Sequence, residues 1–369
     1  MPQTWTAEGL RATFDAPAPL TVGIEEEVFL VDPETHALAP AAASVLARLP
    51  QDGRFKLELP AAQLELVTPP CSSVPDAIAA LRAARGELAA VATALGAGMH
   101  PFAPAEGALN AGERYARTER EYGPVARRQL VASLQVHVAV GGADRSLAVY
   151  NALRAYLPEL AALAANAPFY EGRDSGLASV RPKVSEGLPR QGVPPPLASW
   201  EAFADELTWG VAAGALEPPA AWWWELRPHT AHGTLEVRVP DTQITLEHAG
   251  AVAATAHALV AWLAGRFDAG EPLSAAADWR IAENRWSACR HGVEGSMADL
   301  RTGARTATRE RLNALLAALA PTAARLGCAD ELAEAHALVE ANGALRQRAV
   351  FAEAGMCGLT EWLTGCFCG

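Results

Sequence analysis

The sequence predicts an α+β fold in one large domain, on three observations. Strand-like apolar alternation clusters in four separated places, residues 21–31, 54–68, 131–141 and 234–240. Long alanine- and leucine-rich stretches with helix punctuation lie between them. The spacing has no regular βαβ rhythm, which a doubly wound parallel sheet would require. The 369 residues, 50% hydrophobic and 20% charged, are enough for one large core. No internal repeat or flexible linker divides them, so residues 1–369 read as a single domain.

The first strand is the most informative. Glu25, Glu26 and Glu27 interrupt the apolar run 21–31. Side chains alternate along a strand, so Glu25 and Glu27 project together and Glu26 points away. Two ionised carboxylates on one packed face are costly without a positive partner, and a hard divalent cation suits their oxygens. The competing reading is a solvated face of an edge strand. In 54–68, Gln63 and Glu65 share a face opposite Leu64 and Leu66. Pro60 interrupts the run, so Glu58 comes from a separate piece of backbone.

Pro75 and Asp76 open a helix read as 75–97, closed by Gly96 and Gly98. In 131–141, Leu134, Val136, Val138 and Val140 form an apolar face, with Gln135 and His137 opposite. Residues 144–166 read as a helix broken near Pro158. Residues 170–198 are rich in Gly, Pro and charge and too long for a simple connector, so they read as a binding loop or lid. After Trp222-Trp223-Trp224-Glu225-Leu226-Arg227-Pro228-His229 comes the strand in which Glu236 and Arg238 share one face. They either pair with each other or divide labour, Glu236 on a metal and Arg238 on a phosphate. Helices are expected over 245–265, 297–320 and 329–351.

The formal charge of −12 argues against nucleic acid or anionic lipid as a partner. No apolar stretch of membrane-spanning length is free of charge, and Met1-Pro2-Gln3-Thr4-Trp5 lacks a signal-peptide pattern, so a cytoplasmic protein is expected. Cys71, Cys289, Cys328, Cys357, Cys366 and Cys368 lack paired metal-ligand spacing. They read as reduced thiols, three of them in a frayed tail.

Together the strand carboxylates, His137 and Arg238 describe a polar cavity on a sheet, able to hold more than one divalent cation and a polyphosphate. No phosphate-cradling Gly-x-x-x-x-Gly-Lys-[Ser/Thr] occurs, no Gly-x-Gly-x-x-Gly follows a strand, and no Gly-x-Ser-x-Gly nucleophile elbow is present. A nucleotide would be held through metals and arginines. A metal-dependent hydrolase or phosphatase would use the same carboxylates.

The chain resembles the type-2 glutamate–cysteine ligase, or carboxylate–amine ligase, family from about residue 20 to about 350. The resemblance is carried by Gly23-Ile24-Glu25-Glu26-Glu27, Leu64-Glu65-Leu66-Val67-Thr68, Gly98-Met99-His100-Pro101-Phe102, Gln135-Val136-His137-Val138 and the block from Ala167 to Arg181. It continues through Trp224-Glu225-Leu226-Arg227-Pro228-His229, Gly233-Thr234-Leu235-Glu236-Val237-Arg238 and the block from Asn284 to Gly292. The resemblance implies a glutamine-synthetase-like fold, a curved antiparallel sheet forming an active-site bowl with helices outside. It implies one catalytic domain that uses ATP and Mg2+ or Mn2+ to join glutamate to cysteine through a γ-glutamyl phosphate, or another acid to another amine.

By position, the resemblance implies that Glu25, Glu27, Glu58, Glu65, His137 and Glu236 bind metal. Arg238 and Glu65 would be catalytic, Arg238 and Arg227 would meet the nucleotide, and Arg181 and Arg290 the amino-acid substrate. Small-molecule partners are implied. The alanine-rich helices are compatible with a homodimer. The tail 352–369 has no counterpart in the family pattern.

Overall fold

The structure, a computed structural model, describes residues 5–215, 222–273 and 276–369. Its centre is an antiparallel sheet of seven strands: β1 (Val22–Val31), β2 (Phe55–Leu57), β3 (Gln63–Val67), β4 (Thr93–Leu95), β5 (Leu134–Val138), then β8 (Leu226–His229) and β9 (Thr234–Val237). Two small hairpins lie apart from it, β6 (Phe169–Tyr170) with β7 (Arg173–Asp174) and β10 (Ser296–Ala298) with β11 (Arg305–Ala307). The sheet order is β2-β3-β1-β5-β9-β8, with β4 on the far end of β1. The α+β expectation holds.

One face of the sheet is apolar. Ile24, Val28, Leu64, Leu66, Leu134, Val136, Val138, Leu235 and Val237 are all buried there. The helices Leu246–Asp268, Val74–Ala89 and Ala143–Leu153 contribute to the same core. Leu246–Asp268 is long and apolar enough to cross a membrane, but 89% of its most apolar stretch is buried inside the protein. Its length is explained by packing: the chain's alanines let neighbouring helices approach closely on several sides.

Several expected boundaries move. The stretch read as a helix over 75–97 is helix only over Val74–Ala89, capped by the Ser73 side chain, and then becomes β4 against β1. Alanine supplies no contrast between helix and strand, so the change is invisible to periodicity. The helix expected from 297 begins at Thr308, because β10 and β11 turn back on each other first. The stretch read as 329–351 is two helices, Ala329–Glu340 and Gly343–Gly365, the second capped by Asn342 and kinked at Gly355.

The C-terminal tail is not frayed. Leu359, Leu363 and Phe367 are buried, and the Phe367 carbonyl accepts a hydrogen bond from Arg85 at 2.7 Å. All six cysteines are unpaired thiols. Residues 170–198 are anchored at several points and contribute Arg181, Pro182, Ser185, Leu188, Gln191 and Gly192 to a cavity. Arg348 holds Asp174, the Ala178 and Ser179 amides bond to the Cys289 carbonyl, and Arg181 is fixed to Asp241.

Candidate active site

The register of the sheet assembles the polar face. Arg227, Glu236, His137 and Gly23 lie side by side across β8, β9, β5 and β1. Lys56, Glu65 and Glu27 form a second row across β2, β3 and β1. Glu25 lies between the rows, opposite Gln135 and Val67. Glu58 joins from the turn after β2, where the Asn110 side chain donates to the Glu58 and Pro60 carbonyls at 2.7 and 3.1 Å. The six residues expected to bind metal therefore gather on one face, from four strands and one turn.

Their environment fits cations. Among the described residues, ligand atoms of Glu25, His137 and Glu236 all lie within 4.8 Å of one another. His137 Nε2 is 3.7 Å from Glu25 and 3.9 Å from Glu236, and it is buried with no hydrogen-bond partner. His137 Nδ1 is 3.0 Å from the Thr234 hydroxyl, a contact that fixes the ring and leaves Nε2 facing the carboxylates. An orphaned buried nitrogen between two carboxylates is the donor set of a divalent metal position.

The other three carboxylates form a second acidic group. Burial and the nearby charge of Glu58 push Glu27 up to about 7. Burial with the charges of Glu58 and Glu25 raises Glu65 well above its ordinary range, and burial raises Glu58. Such a group ionises fully only when a cation is among it. Lys56 supplies part of that charge, its Nζ 3.1 Å from Glu65 and 3.9 Å from Glu25. Burial works against Glu25, but His137 and Lys56 hold it down to about 2. Glu236 is likewise buried, and Arg238, Arg227 and His137 hold it ionised below the usual carboxylate range.

Two cavities adjoin along β1. One is lined by Glu27, Glu58, Arg114, Arg181, Glu225 and Arg238 among others. The second is lined by Glu25, His137, His232 and Thr234 with an apolar wall that includes Pro17, Ala18, Val67 and Pro70.

The expected arginines divide. Arg238 donates to Gln135 Oε1 at 2.5 Å and pairs with Glu236, and it opens into the first cavity. Arg227 is buried against Glu236 on the other side. Arg181 also reaches the first cavity, but its Nε donates to Asp241 at 2.6 Å and its Nη2 to the Val239 carbonyl at 2.6 Å. Arg290 is not brought in. It lies exposed beside Gly176 and Asp174, outside both cavities. Arg285, on the opposite face of the same helix, is the buried one, and it grips the cavity residue Glu225 at 2.7 Å.

Sequence reasoning missed Asp241, which collects Arg181, Ser179 and the Asn166 amide. It also missed Arg114 and Tyr115, which reach the first cavity from the helix Glu113–Tyr122. Asp241 was legible only as the end of a strand. Arg114 stands in a charged stretch with no apolar periodicity to mark it.

Residues 21–358 match the profile of glutamate-cysteine ligase family 2. A Rubrobacter xylanophilus protein with the provisional name glutamate–cysteine ligase 2-3 is 41% identical over 358 residues, covering 94% of this chain and 96% of its own. A Frankia alni protein provisionally named glutamate–cysteine ligase 2-1 is 35% identical, covering 92% and 93%. The fold is similar to that of a glutamate–cysteine ligase from Francisella tularensis solved with AMP, at TM-score 0.68 and 12% identity, covering 94% of this chain and 88% of that one. It is also similar to a bifunctional glutathione synthetase from Pasteurella multocida, at TM-score 0.65 and 14% identity, covering 97% and 53%.

Proposed function

The chain belongs to glutamate-cysteine ligase family 2, and on that premise we propose that it uses ATP to join the γ-carboxylate of glutamate to the amino group of cysteine, giving γ-glutamylcysteine, ADP and phosphate. The observation that carries this reading is the convergence of Glu25, Glu27, Glu58, Glu65, His137 and Glu236 on one sheet face between two cavities of different character. The apolar wall of Pro17, Ala18, Val67 and Pro70 suits a purine base. The cavity with Arg114, Arg181 and Arg238 suits an acidic amino acid. The base and the acid would then approach the carboxylate rows from opposite sides.

Glu25, His137 and Glu236 would hold one divalent ion, Mg2+ or Mn2+, and Glu27, Glu58 and Glu65 another. Such ions neutralise the phosphates between two anions that must meet. The protein's own side chains do the rest. Arg238, held rigid by Gln135 and Glu236, points a fixed guanidinium at charge developing on the transferred phosphoryl group. The substrate carboxylate attacks the γ-phosphorus, ADP leaves, and an acyl phosphate forms. The amine then attacks the acyl carbon, expels phosphate and loses a proton. The buried walls, including Arg181–Asp241 and Arg285–Glu225, limit water at this stage.

The experiment is phosphate release from ATP with Mg2+ or Mn2+, glutamate and a panel of amines that includes cysteine, with mass detection of products. γ-Glutamylcysteine supports the proposal. Release that needs another acid or amine replaces the substrates and keeps the ligase chemistry. Release without any acceptor points instead to a hydrolase.

A further inference from the structure

Three arginines line the first cavity, and two of them are already spoken for. Arg181 is held by the buried carboxylate of Asp241 and by backbone carbonyls. Arg238 is held by Glu236 and Gln135. Arg114 differs. Among the described residues, its guanidinium has no carboxylate within 4.0 Å; it lies 5.7 Å from the centroid of the Tyr115 ring, and its charge acts on the buried Glu58 carboxylate from farther off. It is exposed at the cavity rim, on a side of its helix that also presents Tyr115 and Thr118.

The helix that carries it is unusual for this protein. Glu113–Tyr122 has no buried residue. It is bounded by Gly112 at φ 133° and Gly123 at φ 56°, conformations that glycine adopts without strain. Its attachments include the Tyr115 hydroxyl on the Leu57 carbonyl at 3.0 Å, Tyr122 edge-on to Trp223, and Glu119 to Arg127. It lines the cavity together with Pro182, Ser185 and Leu188.

From this distribution of charge we infer that Arg114, not Arg181, receives the second carboxylate of the acidic substrate and so sets its identity. An α-amino dicarboxylic acid carries one carboxylate to the reacting centre and leaves another to be recognised. A guanidinium already hydrogen-bonded to a buried aspartate gains little from a second anion, whereas one with no carboxylate in hydrogen-bond reach binds a carboxylate through two parallel hydrogen bonds. Arg181 is then a positioning residue, tying the wall to Asp241. The inference rests on the proposed acidic-substrate reading.

The test compares full-length wild type with Arg114→Ala, Arg114→Lys and Arg120→Ala, using glutamate and 4-aminobutyrate, which lacks the α-carboxylate. Amine-dependent phosphate release by wild type with glutamate must be seen first, and its absence would refute the substrate reading rather than this inference. Arg114→Ala is expected to raise KM for glutamate roughly 10- to 100-fold, the value of a hydrogen bond to a charged group. It should also erase the preference for glutamate over 4-aminobutyrate while leaving KM for ATP within about twofold. Arg114→Lys should fall between, and Arg120→Ala, whose charge is paired with Glu113 in solvent, should behave as wild type. An unchanged glutamate preference in Arg114→Ala, or a rise confined to KM for ATP, overturns the inference.

Discussion

Glu26 is the carboxylate of the first strand that faces away from the site, and replacing its partner Arg85 tests how β1 is held. Both side chains are fully buried. Arg85 Nε and Nη2 donate to the two Glu26 oxygens at 2.8 and 2.6 Å. The same guanidinium donates to the carbonyls of Gln243, Ile244 and Phe367 at 3.1, 3.3 and 2.7 Å, and lies 4.7 Å over the Phe367 ring. Arg85→Met would leave Glu26 charged in the core and three carbonyls without this donor. Removing one partner of such a pair costs about 3–5 kcal/mol, far more than the pair contributes relative to a well-packed apolar substitute. The double variant Glu26→Gln/Arg85→Met should therefore recover a substantial part of the loss. The assay is urea unfolding followed by circular dichroism, with the midpoint read at unchanged slope. A loss below about 1 kcal/mol for Arg85→Met would refute the reasoning, since an exposed pair is worth no more than that.

Three further outcomes are expected. Thr234→Val, which removes the hydroxyl on His137 Nδ1, should weaken Mn2+ binding about 10- to 100-fold by calorimetry, and unchanged affinity would remove Thr234 as the group that orients the ring. Arg238→Gln should lower kcat about 100- to 1000-fold with the fold intact by circular dichroism, whereas a change confined to KM would move Arg238 from the reacting group to ground-state binding. His100 is buried, which lowers its imidazole to about 4, while its Nε2 bonds to the His36 carbonyl at 2.8 Å. The unfolded chain takes up that proton near pH 6.5 and the folded chain only near pH 4, so stability falls as pH drops through this window, by up to roughly 3 kcal/mol. Unfolding curves for His100→Asn should lose that part of the pH dependence, and an identical slope in both proteins would contradict it.

Much of the site was legible because strand periodicity is a geometric certainty once a strand is granted. Glu25 and Glu27 on one side with Glu26 on the other follows from alternation alone, and the structure places all three so. Which strands adjoin is a different matter. The row Arg227–Glu236–His137 depends on β8, hidden in a segment of three tryptophans and a proline that reads as no regular element. Arg290 was drawn in by its place in a matching block. On a helix it stands five residues, about 140°, from Arg285, so when one faces the core the other faces solvent. The tail seemed frayed because it is short and rich in cysteine and glycine. Its anchor, Arg85, lies 282 residues away from Phe367 and no local pattern could reveal it.

The most direct measurement is the product formed from ATP, glutamate and cysteine with Mg2+ or Mn2+ present, identified by mass and matched to phosphate released. The account expects γ-glutamylcysteine and phosphate in equal amounts, both lost in Glu236→Gln. Phosphate release that is indifferent to acid and amine would contradict it.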